Sequence, residues 1–105
     1  MAFNGLPGLS ATEHAILSLL IAGRELYGLE MVERSKGGLK RGTIYVTLNR
    51  MEEKGYVSSR HESKPENQPG LPRRLYKVTG HGARVLRTWD AANAVWESGA
   101  VGGLA

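Results

Sequence analysis

Within the eight residues from Thr43 to Arg50 the chain collects a hydroxyl (Thr43), a phenol (Tyr45), an amide (Asn49) and a guanidinium (Arg50). On a helix of 3.6 residues per turn, Leu48 and Met51 fall within about 40° of Ile44 and form with it an inner face. Val46, Asn49, Arg50 and Glu53 then look outward, with Thr43 and Tyr45 on the flanks. Hydroxyl, amide and guanidinium groups hydrogen-bond to base edges in a DNA major groove, and Val46 offers an apolar surface to a thymine methyl. The competing reading is an ordinary mixed-polar surface helix. Glu52 and Glu53 favour it over the C-terminal half, so base contacts belong to the N-terminal turns.

Lys40 and Arg41 precede this helix, where the positive end of the macrodipole prefers Asp or Ser. A cation there costs on the order of 0.3–1 kcal/mol. A phosphate against the helix end would turn that penalty into attraction. Farther on, Lys64, Arg73 and Arg74 sit at or near a hairpin tip, with Arg60 and His61 on its ascending strand. Such cations suit a DNA backbone or minor groove, although hairpin tips also carry charge for solubility. The whole chain has a net charge of +4, unevenly distributed. Residues 36–78 hold ten Lys and Arg against Glu52, Glu53, Glu62 and Glu66, a local +6, while residues 1–35 sum to −2 and residues 79–105 balance. That is the footprint of a polyanion-binding face, or of a solvated basic one.

Other chemistries find no support. There are no paired acids in a cleft pattern, no nucleophile with an orienting base and no phosphate loop, so no enzyme and no cofactor is expected. Gly80-His81-Gly82 is too slight to carry chemistry. With no cysteine and with His14, His61 and His81 scattered, neither disulfide nor zinc site is expected, and a reducing cytoplasm fits. No apolar run approaches the ~20 residues of a membrane span, and the opening MAFNGLPG lacks the features of an export signal.

Positioning these groups requires a framework. Ser10-Ala11-Thr12-Glu13 reads as a capping box, followed by Ile16, Leu17, Leu20 and Ile21 at helical spacing and a stop at Gly23. A second helix is predicted near Tyr27–Ser35, with Tyr27, Met31 and Val32 as its apolar face, broken by Gly37-Gly38. The third runs from about Gly42 to Lys54, with Gly55 beyond it. Three short helices with a glycine turn before the last make a helix-turn-helix. The strand-like run Tyr56–Glu62 and its partner Arg73–Val78, with Tyr76 and Val78 inward, close a hairpin around the proline-bearing loop 63–72. Thr79 caps a final helix over about Gly80–Ser98. The predicted class is mainly α with a small β-hairpin: an arm (1–9), a winged helix-turn-helix (10–78), a dimerisation helix (79–98) and a flexible tail (99–105).

Gly42-Thr43-Ile44-Tyr45, Leu48 and Arg50-Met51-Glu52-Glu53-Lys54-Gly55-Tyr56-Val57 resemble the signature of the PadR family of transcriptional regulators. Glu13–Leu20, Tyr27-Gly28-Leu29-Glu30-Met31 and Pro72–Thr79 are similar to its other blocks. The resemblance covers about residues 9–90. It implies a winged-helix repressor, dimeric through its C-terminal helix, in which Gly42, Thr43 and Tyr45 open the recognition helix. Two positions depart from the pattern. Lys40-Arg41 replace the usual Ser-Pro, and Val46 stands where Pro often follows the tyrosine, so operator preference does not carry over.

In the last helix Val85, Trp89, Ala92 and Trp96 form one stripe, broadened by Leu86 and interrupted by Asn93. Packing against a second copy is one use, since a two-fold dimer reads a two-fold operator. Packing of both tryptophans against the first helix of the same chain is the other. The resemblance to compact PadR-like repressors adds a flat lipophilic effector, stacked at the dimer interface by Trp96 and its symmetry mate. A winged helix that binds protein partners and no DNA is the alternative function.

Overall fold

Ser10 begins the first helix as its cap. Its hydroxyl accepts from the Glu13 N–H at 3.1 Å, while the Glu13 carboxylate accepts from the Ser10 N–H at 3.0 Å. The computed structural model describes residues 8–62 and 73–97, with side chains through Ala94. Its elements are α1 (Ala11–Leu20), β1 (Leu26–Tyr27), α2 (Gly28–Arg34), α3 (Arg41–Glu53), β2 (Val57–His61), β3 (Arg74–Val78) and α4 (Gly80–Glu97). The proline-bearing loop, including Lys64, lies outside the described residues, as do most of the arm and the tail from Ser98.

The joints are built from local chemistry. Between α2 and α3, Gly37 takes φ +96° and Lys36 φ +50°. The Ser35 hydroxyl braces this turn, donating to the Val32 carbonyl and accepting from the Leu39 N–H. Leu39 is thereby drawn into the core. At the end of α3, Gly55 adopts φ +79°. The Gly55 N–H bonds the Glu52 carbonyl and the Tyr56 N–H bonds the Met51 carbonyl, a Schellman closure that glycine makes without steric cost. Thr79 caps α4, its hydroxyl accepting from the Gly82 N–H at 2.9 Å. A Cβ on Gly82 would overlap the Tyr56 carbonyl. The Gly80-His81-Gly82 run is thus a close-approach joint between α4 and the start of the wing.

The helical core follows the predicted periodicity. Ile16, Leu17 and Leu20 of α1, Met31 of α2, and Ile44, Leu48 and Met51 of α3 are completely buried, each contributing about 1.5–3 kcal/mol of burial. Ile21 differs: it is the α1 C-cap, at the end of the helix, and lies exposed.

Three further differences matter for the site. The sheet has three antiparallel strands in the order β1-β3-β2, with Tyr76 opposite both Leu26 and Ser59. The two-residue β1 carries no periodicity of its own and exists because β3 offers it an edge. Tyr27 consequently leaves the predicted helical face and becomes strand and N-cap of α2. Val85 and Leu86, expected on the dimerisation or effector stripe, are 4% exposed and complete the protomer's own core.

Candidate nucleic-acid interface

The start of α3 is presented to solvent. Lys40 is its N-cap in extended conformation, without a side-chain cap bond, and its first turn holds no acidic residue. Arg41, Thr43, Asn49 and Arg50 are exposed, and the bulky Tyr45 and Val46 stand 44% and 53% exposed. Large apolar groups left in water at the N-terminal half of a helix whose inner face is fully buried need an external partner to lose that exposure.

Beside this face lies the wing. Tyr27, Leu29 and Glu30 from the β1–α2 segment, Tyr45 from α3, and Arg73 and Arg74 from the wing line one cleft of about 370 Å³. The two elements predicted to touch DNA therefore meet. Arg73 places its guanidinium 4.7 Å from the centre of the Tyr27 ring, within cation–π range. The Tyr27 hydroxyl donates to the Glu62 carboxylate. This bond, with the negative charge behind it, raises the Tyr27 phenol above its ordinary value. Arg74 donates to the Ser59 hydroxyl at 2.8 Å and meets His61 at 3.2 Å, while Ser59 in turn donates to Glu52 at 2.7 Å.

Not every cation of the basic stretch is available. Arg60 makes a paired hydrogen bond to Glu25, at 2.7 and 2.8 Å. These bonds hold the Glu25 carboxyl below its ordinary value. Lys54 lies 2.8 Å from the buried Glu13 and ties the end of α3 to the start of α1. Both are structural ion pairs.

The β1–α2 segment joins this site without having been expected there from the sequence. Tyr27, Gly28 and Leu29 were visible as a block, and Leu29 is 45% exposed. No linear signal tells that Tyr45 and Arg73 close over them from positions 45 and 73.

Elsewhere, α1 and α4 border a groove of about 540 Å³ lined by Leu9, Ser10, Ala11, His14, Trp89, Asp90, Asn93 and Ala94. His14 bonds Asp90 across it at 2.7 Å. Trp89 and Ala92 are half-buried. Trp96 falls within α4, and its side chain lies outside those described. Among the described residues, no cluster of three or more His, Asp or Glu forms a candidate metal site, and no helix is long and apolar enough to cross a membrane.

A PadR family transcription regulator from hypervirulent Clostridium difficile aligns with a TM-score of 0.73 and 25% identity, over 91% of this chain and all of that one. A PadR-like transcription factor from Bacteroides fragilis gives 0.73 and 25%, over 89% and 88%. Bacillus subtilis PadR, solved in complex with operator DNA, shares the fold at 0.67 with 24% identity, over 76% of this chain and 47% of that one. No curated protein matches the chain. The family model described as the transcriptional regulator PadR-like family matches residues 16–88. Spanning both the helix-turn-helix and the wing, that match identifies the chain as a member of the PadR-like family of transcriptional regulators.

Proposed function

We propose that this chain is a repressor that binds a pseudo-palindromic operator as a homodimer. The N-terminal half of α3 reads bases through Thr43, Tyr45, Val46, Asn49 and Arg50. Lys40, Arg41, Lys64, Arg73 and Arg74 grip the phosphate backbone. The observation that carries this reading is the α3 face. It has an uncapped, cation-flanked N-terminus and exposed Tyr45 and Val46, and its Ile44–Leu48–Met51 side is fully buried. A helix presented in this way enters a major groove with its first turns. The capture of Bacillus subtilis PadR on operator DNA supports the same use of the shared fold.

Selection of bound duplexes from a random pool tests the reading. A recovered two-fold sequence is expected, with Arg50→Ala weakening its binding at least tenfold while leaving the melting temperature unchanged. Failure of the wild-type protein to retain any duplex at low salt would favour the protein-interaction alternative. Recovery of the same sequence, bound equally well by the Arg50 variant, would remove Arg50 from the readout.

The dimer places α4 of one copy against the helices of the other, and a flat lipophilic effector lodges beside Trp89 and Trp96 to release the operator. The α1–α4 groove bordered by Trp89 supports this part, being within the size range of small-molecule sites. Titration of planar aromatic compounds should quench tryptophan emission saturably and lower operator affinity. A broad panel without saturable quenching would overturn the effector.

A further inference from the structure

Gly28 sits under the Tyr45 ring. A Cβ added to it would lie 2.7 Å from Cε1, 2.9 Å from Cζ and 3.1 Å from the hydroxyl oxygen of Tyr45. The first two contacts are closer than real Cβ atoms make and the third is tight, so the ring occupies the very space that a side chain at position 28 would fill. The neighbouring Tyr27 does a parallel job for the wing, with its ring under the Arg73 guanidinium and its hydroxyl anchored on Glu62. Both residues are held firmly themselves. Tyr27 pairs with Leu75 in the sheet, and its N–H donates to Glu30 at 2.9 Å. Gly28 is buried as the first residue of α2.

We propose that the Tyr27-Gly28 step is a specificity-determining post: Gly28 seats Tyr45 of the recognition helix, Tyr27 seats Arg73 of the wing, and together they set how the two DNA-contacting elements are aligned. The inference rests on the DNA-binding reading above and goes beyond it, because neither residue touches DNA in that reading. Both are positioning residues, acting through Tyr45 and Arg73. The physical basis is preorganisation: a side chain already held in its bound pose loses less freedom on association.

The atoms that a new Cβ would strike are the far end of a half-exposed ring, which can swing into solvent. The backbone of α2 need not move, and because Gly28 is outside the positive-φ region, alanine fits its backbone and lowers the entropy of the unfolded chain. Gly28→Ala is therefore expected to keep or raise the melting temperature while weakening operator binding, and a purely structural role would move both in the same direction.

The test is a double-mutant cycle on the duplex selected by the wild-type protein. Affinities of wild type, Gly28→Ala, Tyr45→Ala and the double variant are measured by fluorescence anisotropy. Gly28→Ala should weaken binding about tenfold in the Tyr45 background and by less than twofold in the Tyr45→Ala background, with little change on unrelated duplexes. A second cycle pairs Tyr27→Leu with Arg73→Ala, and Tyr27→Phe, which keeps the ring, should retain most of the affinity. Equal losses with and without Tyr45, or no loss from Gly28→Ala, would overturn the post while leaving DNA binding intact. Absence of wild-type binding to any duplex would instead overturn the DNA-binding reading, and the post with it.

Discussion

A cation facing a carboxylate within the fold offers little to a phosphate, whereas one facing solvent or an aromatic ring keeps its charge for a partner. Arg60 and Lys54 belong to the first kind through Glu25 and Glu13. Arg73, over the Tyr27 ring, belongs to the second. Replacing Arg73 and Arg74 together by Ala should weaken binding to all duplexes and flatten the salt slope by about two phosphate contacts. Arg60→Ala should leave that slope unchanged; an equal flattening by Arg60→Ala would contradict the division. Glu13 carries a pH prediction. Burial pushes its carboxyl up, but the Lys54 ammonium and the hydrogen bonds from Ser10 outweigh it and leave it below the ordinary 4.5. Because the folded value is the lower one, its stabilisation is present above the unfolded value and fades as pH falls through the folded value. The melting temperature of the wild type should therefore drop more between pH 6 and pH 3 than that of Glu13→Gln. Parallel decreases would show that this pair contributes nothing.

At the scale of elements, α1 and α3 begin in opposite ways. Ser10 and Glu13 satisfy the first turn of α1 reciprocally, while α3 starts on Lys40 with no side-chain cap. A conventional cap is worth roughly 0.5–2 kcal/mol, so α3 gives up stability at the point where the proposal places a phosphate. Lys40→Asp should raise the melting temperature by a few degrees and lower operator affinity at least tenfold. Affinity unchanged by the new carboxylate would place the phosphate elsewhere. The α1 and α4 caps, the glycine that closes α3 and the glycine turn before it were legible in the sequence, since each depends on neighbours within about four residues. Strand β1 was not. Two residues hold no pattern, and only the exposed edge of β3 makes them a strand.

For the whole molecule, the main question is which face of α4 remains for a second copy. Val85 and Leu86 close the protomer's core, so the interface proposed above falls to the later turns around Trp89, Ala92 and Trp96. Light scattering should give twice the 11.4 kDa chain mass at micromolar concentration, and Trp89→Lys should shift the population toward monomer. A monomeric wild type that still binds the selected palindrome would remove the dimer from the mechanism. The fold class and the outward set on α3 were determined by the sequence itself, because helical periodicity and local caps encode which residues face inward. Tertiary structure alone decided that Arg60 is paired with Glu25, that Val85 and Leu86 are core, and that Tyr27 and Gly28 lie beneath Arg73 and Tyr45. Those outcomes depend on contacts between residues far apart in the chain. Their distances are set by how helices and sheet pack, and no local spacing records them.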